Sequence, residues 1–431
     1  MEVVQDGGRH GAPPDGRFSG AWSNSAAYRP LVSLVLLSSF ASFSSLSVLS
    51  LFAHGDVGAT DTQVTLYFVV VALAGAAVMF VTGHISDRRG RRVLVAASLG
   101  WLAVGYWALA ATRTYAQMLI VGVVFFSAVG VPNAQLLAYA RELVQRQGDV
   151  ASIAVIGLVR VVFSIGSFLG FAGGGLGLAF LGARSVFRVT GLLCLCCLAM
   201  SWRIVRHAAE PGEVPPKPGR AHADNPTGAT STTNDQRLLV LFAAAMVLFA
   251  SGRVMQLAQL PILLHVSLHA PLELIGLILA VPPMCELVLM PVMAWAATRW
   301  GRGRIFLIGA AASVAYYAGL AFVASTWQLL LLQVLYAVFG AATVMIGIDL
   351  AQRLMTRRAG TATSTYLGHE NVAVVHGSVV ATLAVAALGH QAAFLVPATL
   401  CLIALTFAVG LFRRYPTPFD LRRPDAADAR K

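Results

Sequence analysis

Long apolar stretches follow one another along almost the whole chain, and they constrain the fold more than any other feature. A helix needs roughly 20 consecutive apolar residues to cross the hydrocarbon layer of a membrane. Because that layer offers no hydrogen-bonding partners, only helices or closed barrels cross it, and these stretches are too long and too uniformly apolar for barrel strands. The sequence therefore predicts an all-α membrane protein with twelve transmembrane helices. Spans 1 to 12 cover about 31–53, 63–84, 93–112, 115–140, 150–178, 185–204, 237–260, 272–298, 305–325, 327–350, 359–388 and 391–412.

The composition excludes other classes of protein. Hydrophobic residues make up 57% of the 431 residues and charged residues only 12%, whereas about 25% are charged in an ordinary soluble domain. The net charge of +12 does not indicate nucleic-acid binding, because lysines and arginines are spread along the chain in small clusters. No metal or other cofactor is expected, since the cysteines lie in apolar stretches without metal-site spacing: Cys194, Cys196, Cys197, Cys285 and Cys401.

The positive charges predict how the chain is threaded through the membrane. Lysine and arginine are held on the cytoplasmic side, and with both termini inside, 26 of the 31 fall in cytoplasmic segments. Two others lie within spans, and three lie in or beside outer loops (Arg113, Arg184 and Arg188). The sequence therefore predicts an even number of spans with both termini cytoplasmic.

A polar segment in the middle divides the chain into two similar halves. Residues 203–235 are rich in proline, glycine, threonine and charge, as in flexible linkers. Placing Gly90 on Gly301, 211 residues later, also aligns Arg88 with Arg299. We predict a disordered cytoplasmic tail without a signal peptide (1–30), an N-terminal six-helix bundle (31–204), a cytoplasmic linker (205–236), a C-terminal six-helix bundle (237–412) and a cytoplasmic tail (413–431). Secondary transporters use this arrangement.

The junction between spans 2 and 3 carries a recognisable motif. Its sequence GHISDRRGRR, at 83–92, matches the pattern G-x-x-x-D-R-x-G-R-R of the major facilitator superfamily, which the chain thus resembles. The resemblance implies two pseudo-symmetric six-helix bundles and alternating access. It also implies a cytoplasmic gate, in which Asp87 meets Arg141 at the end of span 4 and Asp349 serves the second half. The predicted gate motif comprises Gly83, Asp87, Arg88, Gly90, Arg91, Arg141 and Asp349.

A narrower resemblance is to the bacterial sugar efflux transporters of that superfamily. The matching segments are 134–142, 159–160, 299–301 and 354–363, together with Glu286. The sequence departs from that family at Gln259, where an acid is expected, and at a second histidine in span 11. Span 5 contains GSFLGFAGGG at 166–175, which resembles the glycine-rich pattern of exporters except that Phe171 replaces proline. Close packing of small residues explains those glycines equally well.

Four ionisable residues lie inside spans, where they are costly and usually face a cavity or a partner: Arg160, Arg253, Glu286 and Glu370. We expect Arg160 to pair with Glu286, or less favourably with Glu370, in one conformational state and to release it in another. Such a carboxylate changes its proton affinity, because a cation favours ionisation and burial opposes it. A permanent structural ion pair is the alternative. Arg253 is expected to hold substrate or another carboxylate, and its depth nearer the outer side argues against pairing with Glu286.

Span 11 carries two histidines, His369 and His376, on one helical face. The zinc motif of metalloproteases needs histidines four apart, so this spacing of seven does not fit it. A water-lined cavity wall is the simpler interpretation, and His369 is expected to join proton movement.

Neutral polar residues lie on the spans expected to surround a central cavity. Amides can bind hydroxyl groups as donors and acceptors, and aromatic rings can cover the apolar side of a sugar. Hydrogen bonds between helices are the alternative for each residue. Besides Ser42 and Ser45, the predicted substrate-binding residues are Asn133, Gln135, Arg253, Gln256, Gln259, Gln333, Tyr336 and His376.

Together these features predict a proton-coupled exporter of sugars or small glycoside-like molecules, monomeric and multi-pass in a bacterial inner (plasma) membrane. Its partners are the small-molecule substrate, protons and the lipid bilayer. A multidrug or natural-product exporter is the alternative, and a transporter-like membrane sensor is a third reading. An enzyme is not expected, since no nucleophile, metal cluster or phosphate loop is recognisable.

Overall fold

The computed structural model describes residues 28–89, 91–136, 149–207, 233–354, 359–416 and 419, and these are helical apart from short turns. The predicted tails and linker lie mostly outside the described residues. Spans 1 to 6 comprise Tyr28–Leu51 with a π-helical turn Phe52–Asp56, Asp61–Arg89, Arg91–Ala111, Tyr115–Phe125 with its continuation to residue 136, Asp149–Leu181, and Ala183–His207.

The second half contains another six spans. Spans 7 to 9 comprise Thr233–Ile262 with a π-helical turn Leu263–Ser267, Leu272–Trp300, and Arg302–Ala321. Span 10 is made of Thr326–Ala341, a π-helical turn Ala342–Ile346, and Gly347–Leu354; spans 11 and 12 are Ala359–Ala392 and Leu395–Arg414. Eleven of the helices described are long and apolar enough to cross a membrane, and Thr326–Ala341 is a shorter apolar helix. The all-α fold predicted from the apolar stretches is confirmed.

The two halves repeat structural details at the spacing of 211 residues found in the sequence. Span 1 ends in the π-helical turn Phe52–Asp56, and span 7 ends in the turn Leu263–Ser267. The Thr114 side chain caps span 4 by accepting the amide N–H of Gln117, and Ser325 with Gln328 forms the capping box of span 10. Because local hydrogen bonds recur in register, the repeat extends well beyond the arginine-rich junctions.

The turns collect at two ends of the molecule. The connections after spans 1, 3, 5, 7, 9 and 11 lie at one end, where Arg184 donates to the carbonyl of Thr112 and Gln391 donates to that of Val323. The junctions between spans 2 and 3 and between spans 8 and 9 lie at the other end. We call these the outer end and the inner end, after the orientation that the arginines predict.

The glycine face of span 5 packs against span 1. A Cβ built on Gly166 would lie 2.7 Å from the Leu36 carbonyl oxygen, and one on Gly170 would lie 2.7 Å from that of Phe40. At Gly174 the distance to the Ser44 carbonyl oxygen would be only 2.2 Å. These glycines therefore allow two backbones to approach closely, as small residues do between membrane helices.

Replacing Gly174 by valine is expected to destabilise the protein. The added atoms would meet the Ser44 backbone, which cannot rotate away, and overpacking typically costs about 1–3 kcal/mol. Thermal unfolding of the detergent-purified protein should therefore begin at a lower temperature than in wild type. Gly410→Val is the matched control, because a Cβ there has no atom within 4 Å. Equal stability of the two variants would contradict the packing role of Gly174.

Candidate functional site

A cavity of about 460 Å³ lies among spans 1 to 4 and span 6, and it reaches the second half. Small-molecule sites have volumes of roughly 300–1,000 Å³. Most of its lining comes from the first half, including Ser42, Tyr67 and Asn133. Of the described residues in the second half, Leu257 of span 7 and Val374 of span 11 line it. The polar groups of the described lining therefore all lie on the first-half side of the cavity.

Aromatic rings and a few polar groups line this cavity. Tyr106 and Phe126 pack edge to face with ring centroids 4.8 Å apart. The Tyr106 hydroxyl lies 2.8 Å from the Ser45 hydroxyl, and Ser38 donates to Asn133 Oδ1 over 3.5 Å. The Asn133 amide N–H groups and the Ser42 hydroxyl can hydrogen-bond a polar solute, while the rings cover its apolar faces.

An intramembrane ion pair joins spans 7 and 11 beside the cavity. Arg253 donates through Nη2 to Glu370 Oε2. Leu257 and Val374, which line the cavity, lie one helical turn beyond Arg253 and Glu370 respectively. Because both spans run from the inner to the outer end, the ion pair lies on the inner side of the cavity. Its side chains are 43% and 38% exposed.

His369 adjoins the same ion pair. Its Nε2 lies 3.5 Å from Glu370 Oε1, and its Nδ1 contacts the Tyr366 carbonyl oxygen. The ring is buried, unlike the Glu370 carboxylate. His376, one heptad further along span 11, instead lies with Nδ1 2.8 Å from the Ser251 hydroxyl of span 7. Among the described residues of span 11, His369 and Glu370 thus form one ionisable cluster, held against Arg253.

Glu286 occupies a separate position on span 8. A Cβ built on Gly340 of span 10 would lie 2.5 Å from Glu286 Oε1, so the carboxylate faces that helix. Arg253 and Arg160 both lie within electrostatic reach of Glu286. The expectation that Arg253 does not pair with Glu286 stays a prediction, since the ion pair described for Arg253 is with Glu370. Glu370, which was the less favoured partner for Arg160, is bonded to Arg253. A carboxylate partner for Arg253 was one of the two expectations for that residue.

The predicted substrate-binding residues divide into two groups. Ser42, Ser45 and Asn133 line the cavity. The others lie outside its lining, and most of them are used by neighbouring helices. Gln135, Gln256 and Gln333 are buried, and the Tyr336 ring packs on the Tyr316 ring at 4.9 Å. Gln259 is fully buried and bonded to span 2, so the structure does not place its amide in this cavity.

The predicted cytoplasmic gate is only partly covered by the described residues. Gly90 and Arg141 lie outside them, Gly83, Asp87 and Arg88 belong to the last turns of span 2, and Arg91 begins span 3. In the second half the Asp349 carboxylate lies 2.7 Å from Arg302 Nε and 3.0 Å from Arg353 Nε. Arg302 corresponds to Arg91 in the repeat. Arg302, at the junction between spans 8 and 9, therefore forms an ion pair with Asp349 near the end of span 10.

Comparison with known families assigns the chain to a family. The family model of the Major Facilitator Superfamily matches residues 31–257 and 241–429, which together include all twelve spans. The chain belongs to the Major Facilitator Superfamily. The resemblance inferred from the motif at 83–92 is thereby confirmed, and the two overlapping matches span the chain from the first helix to the last.

The relatives include sugar efflux transporters and multidrug resistance proteins. The chain is 27% identical to sugar efflux transporter A of Escherichia coli strain K12, over 83% of this chain and 89% of the relative. It is 25% identical to the multidrug resistance protein MdtG of Serratia proteamaculans, over 82% and 84% of the two chains. A peptide transporter POT crystal structure has the same fold, with a TM-score of 0.74 and 12% identity, over 92% of this chain and 95% of that one.

Several lining residues were not predicted from the sequence. Tyr67, Tyr106 and Phe126 come from spans 2, 3 and 4, where an aromatic residue in an apolar helix gives no sign of facing a cavity. The pairing of Arg253 with Glu370 was likewise not recognisable from spacing, since 117 residues separate them. Only the presence of a charge inside each span indicated their importance.

Proposed function

We propose that the protein is a proton-coupled exporter of sugars or small glycoside-like molecules that works by alternating access in a bacterial inner membrane. The observation that carries this proposal is the position of the Arg253–Glu370 ion pair, one helical turn from the wall of a cavity with hydroxyl, amide and aromatic groups. The similarity of the chain to sugar efflux transporters over most of its length supports the substrate class. Both termini are proposed to be cytoplasmic, and the active unit is proposed to be a monomer.

Coupling requires that a carboxylate change partners between conformational states. Arg253 is bonded to Glu370 and also lies within electrostatic reach of Glu286. When Glu370 takes up a proton, the attraction between its carboxylate and Arg253 is lost, because a neutral acid no longer pairs with a cation. Arg253 is then free to turn towards Glu286 on span 8. A change of partner of this kind would link protonation to movement of spans 7 and 11.

Transport into inside-out vesicles or proteoliposomes tests the proposed function. The purified protein is reconstituted, a pH gradient is imposed, and accumulation of radiolabelled lactose is compared with accumulation of a panel of dyes. Sugar accumulation that collapses when a protonophore removes the gradient is expected. Binding without flux would instead indicate a membrane sensor, and gradient-independent flux would contradict proton coupling.

Replacing Asn133 by alanine is expected to weaken sugar transport. Asn133 places an amide in the cavity wall, and losing one or two hydrogen bonds of about 1 kcal/mol each raises KM by roughly tenfold. Initial rates over a range of sugar concentrations measure this change. Gln236→Ala is the control, because that exposed amide lies at the start of span 7, far from the cavity. An unchanged KM in Asn133→Ala would remove this residue from the site.

Export of multidrug or natural-product substrates is the second candidate. The largely apolar lining, with Leu257, Val374 and the aromatic rings, favours it, and one group of relatives consists of multidrug resistance proteins. Preferential accumulation of dyes over sugars in the same vesicles would select this alternative.

A further inference from the structure

The halves meet at the outer end through a cluster of polar side chains. His390, at the end of span 11, lies with Nε2 2.7 Å from Asp61 Oδ2, at the start of span 2. Gln259 of span 7 donates through Nε2 to Thr65 Oγ1 over 2.7 Å. We call these four residues, Asp61, Thr65, Gln259 and His390, the outer latch. Because two come from each half, the latch closes the outer end only while the halves are together.

Local backbone geometry places His390 in this position. Gly389 has φ 77° and ψ 178°, a conformation that glycine adopts and that side chains disfavour. The helix of span 11 is therefore bent immediately before His390, which turns the imidazole towards span 2. The Asp61 carboxylate is in the first turn of its helix, where the helix dipole also favours a negative charge.

The orientation of the Gln259 amide follows from its partners. The Thr65 hydroxyl donates to the Asp61 carbonyl oxygen over 3.0 Å, so its oxygen accepts from Gln259. Gln259 Nε2 also lies 3.3 Å from the Asp61 carbonyl oxygen. The opposite orientation would place the amide oxygen 3.3 Å from the Asp61 carbonyl oxygen, which can only accept. Gln259 Oε1 must therefore face His390 Nδ1, from which it is 3.0 Å away.

Both ring nitrogens of His390 consequently face acceptors. Nδ1 faces the Gln259 amide oxygen, and Nε2 faces the Asp61 carboxylate. A neutral imidazole carries only one N–H, whereas the imidazolium carries two. The closed latch is therefore satisfied only by the protonated ring, which also forms an ion pair with Asp61.

From this geometry we propose that the outer latch is a proton-binding gate, closed when His390 is protonated and released when it is neutral. The closed arrangement favours the imidazolium, because only that form donates to both facing acceptors. By linkage, acidity at the outer side favours the closed state and alkalinity favours the open one. The gate does not depend on the identity of the substrate, so its test is independent of the proposed function.

Other ionisable groups lie near the latch at the outer end, but they do not make the contact that His390 makes with Asp61. His54 Nδ1 lies 3.4 Å from Asp61 Oδ1, a weaker contact, and Arg184 lies 3.6 Å from Asp56. The connection between spans 7 and 8 makes no ion pair to Asp61 within the described part of the chain. Its ionisable residues are His265, His269 and Glu273. Among these described ionisable groups, His390 is the one that joins Asp61 to the second half.

Distance measurement between spin labels tests the gate directly. Arg113 and Ala324 are exposed residues in corresponding turns of the two halves, 211 residues apart at the outer end. Cysteines at these two positions, in a background without the five native ones, report the opening of that end in nanodiscs. The long-distance population is the fraction of molecules in which the two labels are far apart because the outer end is open. In the otherwise unchanged protein we expect it to rise about threefold or more between about pH 5.5 and about pH 8, the range in which histidines change charge.

Three variants distinguish the gate from a merely structural contact. His390→Gln should be equally open at both pH values, and Asp61→Asn should lose the pH response in the same way. His390→Lys keeps a permanent cation beside Asp61, so it should remain closed at both pH values. His265→Gln, with its ring exposed at the same end, should respond like the parent protein. A retained pH response in His390→Gln, a His390→Lys variant as open as His390→Gln, or a parent protein without any response would overturn the proposal.

Discussion

Replacing Glu370 by glutamine is expected to lower proton-driven uphill transport at least about tenfold, because it removes the carboxylate that pairs with Arg253 inside the membrane. The amide is nearly isosteric and cannot exchange a proton in the physiological range. Substrate exchange without a gradient does not require proton release, so it should persist. Parallel assays of gradient-driven accumulation and of counterflow in proteoliposomes measure the two activities.

Two further variants sharpen this test. Glu286→Gln leaves the Arg253–Glu370 pair in place but removes the second carboxylate within reach of Arg253. If Arg253 changes partners, this variant should also slow uphill transport while keeping exchange. Glu273→Gln is the control, because Glu273 lies at the start of span 8, away from the cluster. Normal pH-dependent accumulation in Glu370→Gln would rule out this residue as the proton carrier.

Replacing Gly276 by valine is expected to hold the outer end open. Gly276 of span 8 and Gly175 of span 5 face each other across the halves, and a Cβ on Gly276 would lie 2.5 Å from the Phe171 carbonyl oxygen and 2.6 Å from Gly175 Cα. Neither backbone atom can give way without moving span 5. The clash exists only while the halves touch, so it should shift the equilibrium towards the open state by a factor of about ten or more.

The spin-label pair at Arg113 and Ala324 measures this shift. In Gly276→Val the long-distance population should dominate at both acidic and alkaline pH, because the clash separates the halves whether or not His390 is protonated. Gly410→Val places the same side chain on span 12 with no atom within 4 Å of its Cβ, and it should behave like the parent. A closed outer end in Gly276→Val would show that the contact between spans 5 and 8 is not part of outer closure.

Sequence and structure contributed different parts of the candidate site. The charges inside spans 5, 7, 8 and 11 indicated candidate functional positions, because lipid tolerates an ionisable group only where it faces a cavity or a partner. Which arginine meets which carboxylate was not determined by span depth alone. Depth along a helix is known only to within several residues, and helix rotation decides whether Arg253 faces Glu370. The expected partner of Arg160, Glu286, turned out to be influenced by both arginines.

The partners of Gln259 were likewise not predictable from the sequence. An amide within an apolar span indicated a polar environment, and a substrate was one reasonable partner. The structure supplies Thr65 and His390 instead. Two of the latch residues lie 194 or more residues from Asp61 or Thr65 along the chain, and helix packing alone brings them together. Gly389, with positive φ, turns His390 out of the helix of span 11. Which residue His390 then meets depends on the helix that lies opposite.

The sequence by itself determined that the chain is helical, membrane-spanning and built from two similar halves. These properties depend on solvent and on local hydrogen bonding: an apolar segment in lipid must satisfy its own backbone, and a repeat of 211 residues preserves its local caps and turns. Tertiary structure alone decided which faces of the helices meet, and with them the asymmetric cavity, the Arg253–Glu370 pair and the outer latch. Such contacts depend on the rotation and closeness of packed helices, which apolar sequences leave undetermined because many faces are equally soluble in lipid.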